Sequence, residues 1–475
     1  MPYYTKLGTI PKKRHTQFRR PDGALYSEEV FGTEGFVGPT STLYHIHPPT
    51  QVYGWKTLYS TKAQYVEENV MRMRHVRSDI KPQGDPVSGR VVLFGNADCE
   101  MAICNPAEKM SYHYKNGQGD ECLFIHFGSG VCRTMFGTLE FGPKDYIILP
   151  KGCIYHIEFN DLSDAPADMK PAGWTKESMP FGKFLVIETC NASHIGPPPR
   201  YISKTTSQFL EHAPYCERDL RLPELPMTYD EQGTFEVRVK ARDTMHAMEY
   251  HYHPLDVVGW DGCYYPYIFN VDDFAPITGE LHMPPPIHQT FEAHNFVICS
   301  FCPRALDFHP NAVRVPYNHS NIDSDEVLYY VEGNFGSRKG IEQGSLTLHP
   351  QGIPHGPHPG TVEPSLDARY TAELAVMCDT FRPLFPTKAA LGLDDPEYPK
   401  SWLGEHFPGA KKGSVDPSLN GDALYPVRDA DNRELIEAKT TTGRLVGEPT
   451  KKGAYEPYVP KKEGEEGLYS PPSSR

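Results

Sequence analysis

Apolar residues in this chain come in short bursts separated by turn residues. Between about residues 90 and 160 the runs VVLFG, ECLFIHFG, VCRTMFG, DYIILPKG and YHIEF follow one another at the spacing of a sandwich or barrel. A second series opens near Asn295 with NFVICSF, EVLYYVEGNF and GSLTLHPQGIPHG. The two series resemble each other. Asp120 and Glu121 open a run that ends at Gly128, and Asp325 and Glu326 open one that ends at Gly333; each is followed by a strand ending in Pro-x-Gly, at 150–152 and 350–352. The pattern predicts an all-β protein made of a duplicated barrel. Pro-rich and aromatic stretches at 196–201 and 261–270 read as long ordered connections. Beyond Pro408 apolar periodicity gives way to Lys, Glu, Pro and Gly, so 408–475 is expected to be a flexible or surface-wrapping tail.

Composition narrows the classes. Among 475 residues, 40 Gly and 46 Pro supply turns and 28 Tyr with 23 Phe supply side chains that strands favour, which disfavours a helical bundle. A formal charge of −14 leaves no basic face for phosphate, so no nucleic-acid partner is expected. No segment approaches the roughly 18 consecutive apolar residues of a membrane span, and the N-terminal sequence has no signal-peptide core, so the expectation is a cytoplasmic protein without a membrane partner. Eleven cysteines, with a single CxxC at Cys299 and Cys302, read as reduced thiols rather than a zinc site.

The second series carries the chemistry. Gly344, Pro350, Gly352 and His355 fall at the spacing of the second cupin motif. Glu326 and Gly333 close the first motif, its leading His falls at His319, and its second His is replaced by Asn321. This resemblance implies a jelly-roll barrel in which His319, Glu326 and His355 face one metal ion. Two imidazoles and one carboxylate leave coordination positions open, the arrangement suited to Fe(II) that binds both an organic substrate and O₂. Asp325 is a rival ligand, but adjacent strand residues face opposite sides and the spacing to Gly333 favours Glu326. In the first half the counterparts are expected at His113, Glu121 and Tyr155, with His156 displaced by one residue and so turned to the other face. The expectation is a vestigial, metal-free barrel within 1–275, with His113 and His156 structural, and a catalytic domain at 276–407.

Further stretches resemble homogentisate 1,2-dioxygenases: Val257 to Gly262 followed by Tyr264-Tyr265-Pro266-Tyr267, Pro286 to Phe291, Pro316 to His319, and Pro354-His355-Gly356-Pro357. The resemblance runs from about residue 10 to Phe407 and is densest between 255 and 360. It implies an Fe(II) enzyme of tyrosine and phenylalanine catabolism that opens a para-hydroquinone ring with O₂, taking homogentisate to maleylacetoacetate. It further implies His288 as the active-site base or hydrogen-bond partner, Tyr317 as a substrate neighbour, His355 at the substrate as well as on the metal, and His349 as a residue orienting a ligand imidazole. A trimer or hexamer is implied as well. Two departures stand out: one extra residue between His319 and Glu326, and Phe335 where the family has a tyrosine close to substrate. They keep gentisate or another substituted hydroquinone open. A metal-dependent cupin isomerase and a metal-poor binding protein are the readings from other classes.

Overall fold

In the computed structural model the described residues are 3–403, without 67–70, 192, 226–227, 334 and 336–339. The expected tail at 408–475 lies outside them. Strands dominate; the two α-helices among the described residues, Val362–Ser365 and Lys388–Leu393, are a turn or so each. No helix there is long and apolar enough to cross a membrane.

Three large sheets carry the fold. A seven-stranded sheet includes Gly130–Thr134, Ile154–Phe159 and His113–Asn116. An eight-stranded sheet is centred on Glu121–Phe127, flanked by Asp145–Leu149 and Lys183–Thr189. The third, six-stranded, runs Gln289–Ala293, Phe296–Phe301, Leu374–Thr380, Asp325–Glu332, Leu346–His349, Arg74–Val76. Strand alternation sorts the cores. Leu123, Ile125, Ile147, Leu149, Phe184 and Val186 point from the eight-stranded sheet into the first barrel, against Tyr155 and Ile157. Their neighbours Cys122, Phe124, Tyr146, Ile148, Leu185 and Ile187 point the other way, where they join Ile298, Val327, Tyr329, Val376 and Cys378 of the six-stranded sheet. That sheet's outer face carries Cys299, Leu328, Tyr330, Phe335, Ala375 and Met377. The two sheets therefore pack back to back, stitched by His126 Nδ1 to Tyr329 Oη at 2.6 Å and Tyr146 Oη to Ser300 Oγ at 2.8 Å. All eleven cysteines are free.

The expected runs form strands at their expected places. The stretch 261–270 differs from expectation: Val257–Gly262 and Tyr267–Asn270 are strands, the second paired with Asp145–Ile148. Tyr267, Ile268 and Phe269 suit a buried pleat, and Pro266 sits just before the strand, where a missing N–H is tolerated. The 196–201 stretch remains a connection with one 3₁₀ turn, Pro199–Tyr201. The repeat has a physical basis. Gly128 and Gly333 adopt φ of +95° and +98°, Gly152 and Gly352 of +85° and +76°, the region that only glycine enters freely.

Candidate metal centre

Glu326 lies near the start of the Asp325–Glu332 strand and projects from the face opposite to Asp325. Asp325 is spent on structure: its carboxylate accepts from the backbone N–H groups of Gln351 (2.8 Å) and Leu384 (2.7 Å), away from the two imidazoles that Glu326 faces. His319 and His355 come from separate loops and face each other through reciprocal backbone hydrogen bonds of 2.8 Å. Their rings approach to 4.3 Å. His319 Nε2 lies 3.8 Å from Glu326 Oε2, and His355 Nε2 lies 3.6 Å from Oε1. Among the described residues these three form the one group whose ligand atoms all fall within 4.8 Å of one another.

The donor set fits a metal. His319 Nδ1 sits 3.2 Å from the Tyr317 carbonyl and His355 Nδ1 3.0 Å from the Ile353 carbonyl. A carbonyl only accepts, so each Nδ1 carries the proton and each Nε2 presents a lone pair toward Glu326. His355 Nε2 is buried without a hydrogen-bond partner, which a bound cation would remedy.

The first half shows the same frame filled differently. Gly152 N–H donates to Asn116 O and Gly352 N–H to Asn321 O; Lys151 N–H reaches Asp120 as Gln351 N–H reaches Asp325. Tyr155 pairs with Tyr114 where His355 pairs with His319. The counterpart of His319 is thus Tyr114, which corrects the expectation of His113. His113 is one residue out of register, so it faces the other side with His156 (5.7 Å) and His253 (5.0 Å). The counterpart of Glu326, Glu121, is fully buried and ion-paired with Arg90, and also accepts from Tyr155 Oη at 2.6 Å and Asn116 Nδ2 at 3.2 Å. Arg90 in turn lies over the Tyr114 ring. A side-chain cation occupies the place that a metal ion would take in the second half. Among the described residues no Lys or Arg pairs with Glu326.

The remaining expected residues divide. His349 is buried beside the three, but its Nδ1 meets Glu326 Oε1 at 2.7 Å, so it orients the carboxylate rather than a ligand imidazole, with its ring stacked on His355 at 4.6 Å. An ionised carboxylate is a stronger acceptor for the His349 N–H than a neighbouring imidazole nitrogen is, which explains the difference. Tyr317 is half exposed, its ring edge-on to His319 at 5.9 Å. His288 packs on Phe301 at 4.7 Å with Nδ1 buried and unpartnered, and no hydrogen bond or ring contact joins it to the three. Burial, aided by Arg304 and His282, pushes its pKa down to about 3, so it is neutral. Phe335 is buried against Tyr330 at 4.6 Å.

Two residues near the centre carry no sequence signal that singles them out. Asp379 is the cross-strand neighbour of Glu326 on the Leu374–Thr380 strand, and Tyr398 reaches His349 Nε2 at 3.0 Å. Asp379 also lines a cavity of about 700 Å³ with Val297, Cys299, Met377, Gln289 and Arg200.

Fold and site together define a duplicated cupin whose second barrel brings together a His-Glu-His set that could hold one metal ion. The family description homogentisate 1,2-dioxygenase N-terminal matches residues 215–271. A protein of Saccharolobus solfataricus named as a putative dioxygenase is 36% identical over 408 residues, covering 85% of this chain and 99% of that one. Homogentisate 1,2-dioxygenase of Rhodopseudomonas palustris is 26% identical over 445 residues, 84% of this chain and 90% of that one. A variant of Bacillus subtilis oxalate decarboxylase superposes over 68% of this chain and 78% of its own, at 12% identity and a TM-score of 0.29. The chain belongs to the same family as the Saccharolobus protein, a homogentisate 1,2-dioxygenase-like family.

Proposed function

We propose that the chain is an Fe(II)-dependent dioxygenase that opens the ring of a para-hydroquinone, homogentisate first among them, to give maleylacetoacetate in tyrosine and phenylalanine catabolism. The observation that carries the reading is the convergence of His319, Glu326 and His355, with one buried imidazole nitrogen lacking a partner, in a member of a dioxygenase family. Both atoms of O₂ enter the product, so no reductant is needed. Iron held by the three would polarise a phenolic oxygen and pass electrons from the bound ring to O₂, with no net change in its own oxidation state.

The chain's own residues do the rest. Tyr317 and Ile353 carbonyls hold the two imidazoles with Nε2 inward, toward Glu326. His288 is neutral and only weakly basic, so the role proposed for it is that of a hydrogen-bond partner to the phenolic hydroxyl. Tyr317, whose ring lies 5.9 Å from that of His319, is proposed to touch the substrate near its metal-bound end. The functional division proposed is 1–275 as support and 276–407 as the catalytic part. A homotrimer or hexamer and a cytoplasmic setting are proposed with it.

The test is incubation of the Fe(II)-loaded protein with homogentisate in air and under argon, following oxygen uptake and the absorbance of the ring-opened product. One O₂ consumed per ring opened, with no turnover under argon, is expected; turnover under argon would mark an isomerase instead. Glu326→Ala is expected to retain no iron through gel filtration. His288→Ala is expected to keep its iron and lose about 100-fold or more in kcat. A second substrate reading rests on Phe335, whose ring has no hydroxyl to offer a substrate carboxylate. Gentisate or another substituted hydroquinone is the competitor, and the ratio of kcat/KM values for the two acids decides between them.

A further inference from the structure

Tyr398 opens a 3₁₀ turn, Tyr398–Trp402, and is 3% exposed. Its hydroxyl lies 3.0 Å from His349 Nε2, while Nδ1 of the same ring lies 2.7 Å from Glu326 Oε1. A carboxylate only accepts, so in the neutral ring Nδ1 carries the proton and Nε2 the lone pair. The phenol is then the group that donates to Nε2. We propose that Tyr398 is a positioning residue of the metal centre: by donating to His349 it holds that imidazole in the tautomer that donates to Glu326, and so fixes the ligand carboxylate. The inference rests on the reading of His319, Glu326 and His355 as metal ligands.

Three observations support it. The opposite tautomer would set the Nδ1 lone pair against a carboxylate in a buried site, a repulsive contact that the Tyr398 hydroxyl works against. The rings are also packed to keep this geometry: Tyr398 lies near-parallel to His349 (6.2 Å, 19°), and Trp402 stands edge-on to both while its Nε1 donates to Gly356 O at 3.1 Å. Finally, the two halves differ at this point. Glu326 pairs across the strands with His349, whereas Glu121 pairs with Leu149. Where an arginine meets the carboxylate the neighbour is aliphatic, and where a metal ion is to be held the neighbour is a histidine with a tyrosine behind it.

Metal affinity is the readout. The full-length apo chain is titrated with Co(II) under argon and followed by its visible absorption. Tyr398→Phe keeps the ring and removes the hydroxyl; the expected result is a loss of about 10- to 100-fold in Co(II) affinity. Tyr112→Phe, which removes a buried hydroxyl bonded to Asp85 in the first barrel, is the control for structural loss and is expected to bind Co(II) as the parent does. In a His349→Gln background the Tyr398→Phe change is expected to add nothing, since its route to the ligand is gone. His349→Ala serves the same purpose if the Gln variant folds poorly. An unchanged Co(II) affinity in Tyr398→Phe overturns the proposal, as does an equal loss in the presence and absence of His349. A parent chain that takes up no Co(II) overturns the metal-centre reading itself. A chain that binds Co(II) yet opens no ring overturns the reaction class and leaves the relay standing.

Discussion

At the scale of single residues, burial without water forces polar groups into fixed partnerships, and these make sharp predictions. His45 lies between Asp256 (2.7 Å) and Glu29 (2.9 Å). Burial pushes its pKa down, but the two carboxylates outweigh this and raise it to about 9. A raised folded pKa means that the stabilisation is complete below the unfolded value near 6.5 and is lost as pH rises through 9. Thermal unfolding is therefore expected to show a midpoint that falls between pH 7 and 10, with His45→Gln flattening the slope. Glu121 has the opposite sense. Burial raises it, and Arg90 with its hydrogen-bonding neighbours outweighs that and lowers it. Arg90→Met leaves a buried carboxylate unpaired, at a cost of about 3–5 kcal/mol in urea unfolding at neutral pH, reduced at low pH where the carboxyl is protonated in both states.

At the scale of elements, the two Pro-x-Gly turns show why some of the site was legible in the sequence. A left-handed glycine is a local requirement, so Gly152 and Gly352 announce their turns without help from the rest of the chain. Nothing lies within 4 Å of an added Cβ at Gly352, so Gly352→Ala is expected to cost only backbone strain, about 1–2 kcal/mol. At Gly333 an added Cβ would run into the Ala372 carbonyl, so Gly333→Ala is expected to cost more, with chemical denaturation reading the difference. Motif spacing likewise carried His319, Glu326 and His355, because all three hang on such turns and their strands. Asp379 and Tyr398 were not legible. Each reaches the centre by cross-strand register or by the path of the chain after Leu393, and neither leaves a spacing to read. The same limit misplaced the counterpart of His319: sequence favoured the nearest histidine, His113, while register selects Tyr114.

At the scale of the molecule, the halves are not separable pieces. Arg74–Val76 completes the catalytic sheet beside Leu346–Leu348, Phe385–Pro386 extends the eight-stranded sheet beside Phe94–Gly95, and Arg72 and Arg74 pair with Asp394. Residues 276–407 expressed alone would expose the apolar back of the six-stranded sheet and lose its edge strand. That fragment is expected to be insoluble or to lack a cooperative melt, whereas the whole chain is expected to unfold in one step by far-ultraviolet circular dichroism and tyrosine fluorescence alike. A fragment that melts cooperatively would show that the back-to-back packing is dispensable.

Arg90 bears on the order of events in a cell. Because the first barrel carries its own cation, the scaffold against which the second barrel packs has no need of a metal ion to close. The chain stripped with a chelator is thus expected to keep its cooperative thermal melt, and a chain made while metal is scarce to wait folded and ready to load.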